Sequence, residues 1–188
     1  MRADLVRLGV ARTVQGVRLF PRMTALENVM VAGEHLHRVG LGFSLLGLPR
    51  ADRADRALRE VALDALARFG ARDAADARAD TLPYGVQKRV ALARALVAEP
   101  ELLLLDEPAG GLGADDLSEL AEAIGELKGS MSVMLVEHRM DLVMSVCDRV
   151  AVLDSGRLIA AGSPDEVRAN PAVLEAYLGA DDEGAGGA

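Results

Sequence analysis

Two rhythms of apolar residues divide this chain. From about residue 25 to Pro100 they recur every three or four positions, the spacing of one helical face; beyond Pro100 they bunch into short continuous runs separated by helix-sized segments. Leu58, Val61, Ala62, Ala65, Leu66 and Phe69 share a face, with Asp and Arg elsewhere and Gly70 at the stop, so a helix is predicted over 52–69. Val86, Val90, Ala93, Leu96 and Val97 repeat the pattern, and Pro100 closes it. Thr24 and Glu27 have the spacing by which two side chains satisfy two open helix amides, which predicts a helix from Ala25. Before it lie a short amphipathic stretch, Leu5, Val6 and Leu8, and a strand over Val10–Val14.

In the second half, Leu102–Leu105, Val133–Val136 and Val150–Leu153 are strand-sized and lack polar alternation, the mark of a parallel sheet covered on both faces. The intervening helices are expected to begin near Asp115 and Arg139. Asp154-Ser155-Gly156 then turns into Leu158-Ile159-Ala160, a small hairpin. Ser163, Pro164 and Glu166 supply an N-cap, an N1 proline and an N3 carboxylate for a closing helix, with another over 172–178. Residues 40–49 are expected to form a loop, 71–80 a polar connector and 181–188 an acidic, glycine-rich unordered tail.

Composition narrows the function classes. The 188 residues are 51% hydrophobic, enough for one sizeable core, and the formal charge of −8 lacks the clustered Lys and Arg that displace counterions from nucleic acid. No apolar run approaches the roughly 20 residues of a membrane span, and no signal-peptide core follows Met1. Cys147 has no second cysteine with which to bridge, and its apolar setting is that of a packed thiol in a reducing compartment. His35 and His37, on a polar segment with no Cys or paired acid, are expected at the surface and fall short of a zinc set.

The candidate chemistry starts at Leu102-Leu103-Leu104-Leu105-Asp106-Glu107-Pro108, four aliphatics followed by two carboxylates. Ligands of open α/β sheets bind at the carboxyl ends of the strands. In a nucleotide hydrolase Asp106 would hold Mg²⁺ through its water shell, and Glu107 would polarise the water that attacks the γ-phosphate. A core strand ending in solvated acids explains this string alone equally well. Upstream, Leu82-Pro83-Tyr84-Gly85-Val86-Gln87-Lys88-Arg89 opens the helix that ends at Pro100. A glycine at a helix start lets backbone amides and the positive dipole end approach a phosphate.

In that order these segments resemble the signature motif, its helix and the Walker B strand of an ABC ATPase. The resemblance implies a partial P-loop NTPase fold: an α/β protein with a mostly parallel sheet core and a helical lobe. It implies ATP and Mg²⁺ as ligands, with Leu82, Pro83, Tyr84, Gly85 and Gln87 meeting ATP bound by the opposite subunit. Gln15, in Arg12-Thr13-Val14-Gln15, takes the Q-loop place that senses Mg²⁺ and water and faces the permease; His138, after Val133–Glu137, takes the H-loop place at the γ-phosphate; Ala109–Gly113 takes the D-loop place. Flanking residues, among them Met23–Val29, Val136-Glu137-His138 and the ending from Glu166 to Gly179, resemble the ATP-binding subunits of branched-chain amino acid importers.

The family's Gly-x-x-x-x-Gly-Lys-Ser/Thr loop is not in this sequence, whose lysines are Lys88 and Lys128 alone. A fragment, a truncated gene model or a wrong start codon is the expectation, with weak ATP binding and no measurable ATPase activity from the isolated chain. Pro83 and Val86 also depart from the commonest signature, where serine and Gln or Glu are usual. The implied layout is 1–20, a core remnant up to the Q-loop; 21–99, a helical subdomain ending in the signature and its helix; 100–162, a RecA-like core; 163–179, C-terminal helices; and 180–188, the tail. The implied partners are a second ABC ATPase subunit, like or unlike, transmembrane permease subunits and, indirectly, a periplasmic or extracellular solute-binding protein. The implied place is cytoplasmic, peripheral on the inner face of the cell membrane. A second reading is a non-catalytic partner that lends only Gly85 and its helix to an intact ATPase. A third, a DNA-repair or chromosome-organising ABC ATPase, needs long heptad arms that the sequence lacks.

Overall fold

The structure is a computed structural model that describes residues 5, 7–13, 16–33 and 49–176. The expectations for Val6, Val14, Gln15, His35, His37, the loop up to residue 48, Tyr177–Gly179 and the tail lie outside the described residues. Residues up to Glu137 form one compact unit and those from His138 a second.

The first unit is built on three parallel strands, β1 (Val10–Arg12), β2 (Leu102–Asp106) and β3 (Ser132–Val136), in the order β1-β2-β3. Leu103 faces Ala11 on one side and Val133 on the other. Parallel neighbours need long crossovers. One runs through the helical residues between β1 and β2; the other is helix α4 (Ala114–Leu127), between β2 and β3. β2 is the central strand, paired on both sides, and β3 is the edge among the described residues.

Helices α1 (Ala25–Gly33), α2 (Pro49–Arg68) and α3 (Tyr84–Leu96) pack pairwise. Gly33 makes room for this, since a Cβ there would collide with Leu58 Cδ1. The apolar face predicted for α2 is buried at Leu58, Ala62, Ala65 and Leu66, although the helix starts at Pro49, inside the expected loop. At the start of α1 both halves of the capping box form: Thr24 N–H donates to Glu27 Oε2 at 2.8 Å and Glu27 N–H to Thr24 Oγ1 at 3.1 Å. Fully buried Asn28 fixes the approach to α1, its Oδ1 accepting from Phe20 N–H at 2.7 Å and its Nδ2 donating to the carbonyls of Phe20 and Thr24 at 3.1 and 2.9 Å. The connector after α2 contains two 3-10 turns, Arg72–Ala74 and Ala79–Thr81. It is strapped to the same place: Ala25 and Leu26 donate to the carbonyls of Ala77 and Ala75, and Ala79 donates to Met23 O.

The second unit comprises α5 (Met140–Val146), the hairpin β4 (Val150–Asp154) and β5 (Arg157–Gly162), α6 (Pro164–Arg168) and a helical segment at 171–176. Here one expectation is corrected. Val150–Leu153, taken from its apolar run as a parallel strand, pairs antiparallel with β5. The reason is the two-residue link Ser155-Gly156, both with positive φ, which reverses the chain too tightly for any parallel crossover. Ser163 and Glu166 form the predicted capping box, and hydrogen bonds from Ser163 hold the Glu166 carboxyl below its usual range.

Candidate functional site

The described part of the site lies at the carboxyl end of β2, where the sheet stops and the helix α3 arrives. Thr13, just past β1, donates its N–H to Leu104 O at 2.9 Å, and its Oγ1 accepts from Asp106 N–H at 3.1 Å. The end of β1 thereby fixes the backbone of Asp106 while its side chain stays partly exposed. Asp106 Oδ2 accepts from Arg12 Nη2 at 3.0 Å, an ion pair open enough to solvent to be worth little in stability.

Glu107 leaves the strand abruptly. Its N–H donates to Val136 O at 2.9 Å, carrying the ladder one step beyond β2, and its φ of +46° puts a residue with a Cβ in the left-handed region. Such a conformation costs about 1–3 kcal/mol and persists where its surroundings over-determine it. Two side chains do so. Lys88, only 8% exposed, reaches from α3 to donate from Nζ to the carbonyls of Glu107 and Pro108 at 3.1 and 2.9 Å. From the end of β3, Glu137 Oε1 accepts from Ala109 N–H at 2.7 Å. Burial pushes the Lys88 ammonium below its ordinary pKa, while the Glu137 and Glu107 carboxylates act in the opposite direction.

Pro83 precedes α3, and no side chain caps the helix, so its first-turn amides have no side-chain acceptor there. Gln87 Nε2 folds back to Leu82 O at 2.8 Å. Gly85 lies against the Asp116 carboxylate: a Cβ there would come 2.7 Å from Oδ2, and that side chain would have to shift. Asp116 and Glu119, on α4, both pair with Arg89 of α3, the second at 2.5 Å. Tyr84 is half exposed, with its ring centroid 5.7 Å from Lys88 Nζ.

The structure thus brings Asp106, Glu107 and the Leu82, Pro83, Tyr84, Gly85 and Gln87 group into one unit, tied together through Lys88. Gln15 lies outside the described residues, and His138 is the first residue of the second unit, where it is exposed. Sequence reasoning missed Lys88, Glu137, Arg12 and Thr13 as parts of this end of the sheet. Lys88 left a signal: with Leu92 and Leu96 it occupies the i, i+4, i+8 stripe of α3 that is otherwise apolar, an expensive slot for an ammonium without partners.

A model of the ABC transporter family matches residues 2–110, and one of the branched-chain amino acid ATP-binding cassette transporter matches residues 157–183. The chain is 43% identical over 178 residues to the high-affinity branched-chain amino acid transport ATP-binding protein LivG of Salmonella typhimurium, covering 94% of this chain and 70% of that one. It is 40% identical to the corresponding protein BraF of Pseudomonas aeruginosa, covering 93% and 69%. Among solved structures, an ATP-binding cassette of an ABC transporter in its ADP conformation superposes with a TM-score of 0.75 at 28% identity, covering 94% of this chain and 71% of that one. The order of acidic strand end, glycine-started helix and flanking segments agrees with these matches: this chain belongs to the ABC transporter family.

Proposed function

We propose that this chain is the ATP-binding and ATP-hydrolysing subunit that energises import of branched-chain amino acids, or related amides, across the cytoplasmic membrane. The observation that carries the reading is the tied end of β2, with one carboxylate on the last residue of a central parallel strand, a second on the turn that follows, and that turn gripped from the helix that Gly85 opens. In this reading Glu107 polarises the attacking water, and the uncapped start of α3 offers its amides to the γ-phosphate of ATP held by a second subunit, like or unlike. His138 contacts the γ-phosphate, and Gln15 links the site to the permease subunits.

Asp106 fits the magnesium role in offering a hard, partly exposed carboxylate oxygen, and the Arg12 guanidinium that pairs with it would have to yield to the metal. When bound, Mg²⁺ would neutralise charge on the phosphate oxygens. Among the described residues no cluster of three His, Cys, Asp or Glu side chains forms a protein-only metal cage, and no helix is long and apolar enough to cross a membrane. Association with the inner face of the membrane is therefore assigned to contacts with the permease.

The test uses the full-length protein co-purified with its permease subunits in proteoliposomes. Glu107→Gln is expected to lower ATP turnover and ATP-driven uptake of leucine at least about 100-fold while ATP still binds. Unchanged turnover would overturn the catalytic assignment and favour the second reading, in which this chain lends only the start of α3 to another ATPase.

A further inference from the structure

We infer that Lys88 is a positioning residue for hydrolysis: it couples the phosphate-facing start of α3 to the peptide that aims the Glu107 carboxylate. This rests on the catalytic reading of Glu107 above and goes beyond it, by naming the group that sets when that carboxylate is in place.

The geometry has three parts. First, Nζ donates to two consecutive carbonyls, Glu107 O and Pro108 O, at 3.1 and 2.9 Å, so it defines the orientation of a peptide plane as well as its distance. Second, the held residue is the one with the left-handed backbone, φ +46°, which needs external restraint to stay there. Third, Lys88 stands three residues beyond Gly85, one turn along the same helix. A rigid helix drawn toward a phosphate at its first turn carries Lys88 with it, and Lys88 carries the Glu107 peptide.

The remaining surroundings support a positioning role over a packing one. The ammonium is buried beside the Tyr84 ring and within the influence of Glu107 and Glu137, and it is held by directed bonds in a stripe where a leucine or methionine would pack without a desolvation cost. Glu137 fixes the next peptide from the other side through Ala109 N–H. The turn is therefore held from two elements, α3 and the end of β3. A displacement of α3 bears on Glu107 and leaves Ala109 in place.

The experiment compares wild type, Lys88→Met, Lys88→Arg, Glu107→Gln and the Lys88→Met/Glu107→Gln double variant of the full-length protein assembled with its permease. Lys88→Met is expected to lower kcat for ATP by about 10- to 100-fold, the scale of a misplacement near 1 Å, with KM for ATP within about twofold of wild type. Lys88→Arg, which keeps a charged multiple donor, recovers most of the loss. In the Glu107→Gln background Lys88→Met has no further effect on residual turnover, because the lysine acts through Glu107. An unchanged kcat in Lys88→Met, a parallel loss of ATP binding, or additive losses in the double variant would each overturn the inference. Should Lys88→Met fail to assemble, the kcat of Lys88→Arg decides: recovery of most wild-type turnover with unchanged KM supports it, and a rise in KM at unchanged kcat refutes it. Wild type whose turnover is absent or indifferent to Glu107→Gln refutes the catalytic reading and this inference together; a Glu107-dependent wild type with an indifferent Lys88 refutes this inference alone.

Discussion

Strands β2 and β3 lie side by side in one sheet and carry nearly the same text, a run of aliphatics ending in acid, yet they live in different surroundings. In β2, Leu103 and Leu105 are 0% and 1% exposed, whereas their register partners in β3, Val133 and Leu135, are only half-buried; on the opposite face Leu104 is half-buried and its partner Met134 is 57% exposed. The difference comes from position in the sheet. β2 has a neighbour on each side, whereas β3 has one among the described residues. Apolar content makes a strand available for burial, and topology decides whether it is buried. The strand ends differ in the same sense: the turn after β2 is gripped by two side chains, and the residue at the end of β3 supplies one of the grips.

The strongest way to break the comparison is to truncate matching positions. Leu105→Ala removes a fully buried side chain from the middle of the sheet and is expected to cost about 2–5 kcal/mol, whereas truncation of its half-buried register partner, Leu135→Ala, is expected to cost about 1–2 kcal/mol. Chemical denaturation of the two variants measures both, and equal losses would mean that β3 is as deeply covered as β2.

A sharper contrast concerns the strand ends. Glycine at position 107 relieves the left-handed backbone, so Glu107→Gly is expected to stabilise the protein by about 1 kcal/mol while it removes the proposed catalytic carboxylate. Glu137→Gly has no such strain to relieve and loses the bond to Ala109 N–H, so it is expected to destabilise. Opposite signs in thermal unfolding would show strain concentrated at one end only.

Much of this was legible in the residues. The capping boxes at Thr24 and Ser163, the α2 face from Leu58 to Leu66 and the parallel pairing of two aliphatic runs all follow from local chemistry, and the structure has them. What escaped was set by distant partners. The left-handed Glu107 stands before a proline, a place where extended backbone is the usual expectation, and contacts from Lys88, Val136 and Glu137 hold the turn there. For Lys88 the sequence offers only its place in an apolar stripe; that its ammonium ends beneath a loop beginning nineteen residues later is set by tertiary packing.

The smallest effect tests how that loop is held. Burial lowers the folded-state pKa of Lys88 below its ordinary 10.5, against the pull of the Glu137 and Glu107 carboxylates. Between the two values the unfolded chain holds more protons than the folded one, so stability must rise with pH there. The contribution is fully present above 10.5 and is lost as pH falls through the lowered folded value; below that, the cost of the buried charge is constant. Other groups titrate in the same window, so the measure is a difference: wild-type unfolding free energy minus that of Lys88→Met, followed from pH 8 into the alkaline range. The difference should move in favour of wild type as pH rises. A shift toward the variant would mean that the carboxylates outweigh burial, and that the grip on the Glu107 turn is an ion pair first and a pair of hydrogen bonds second.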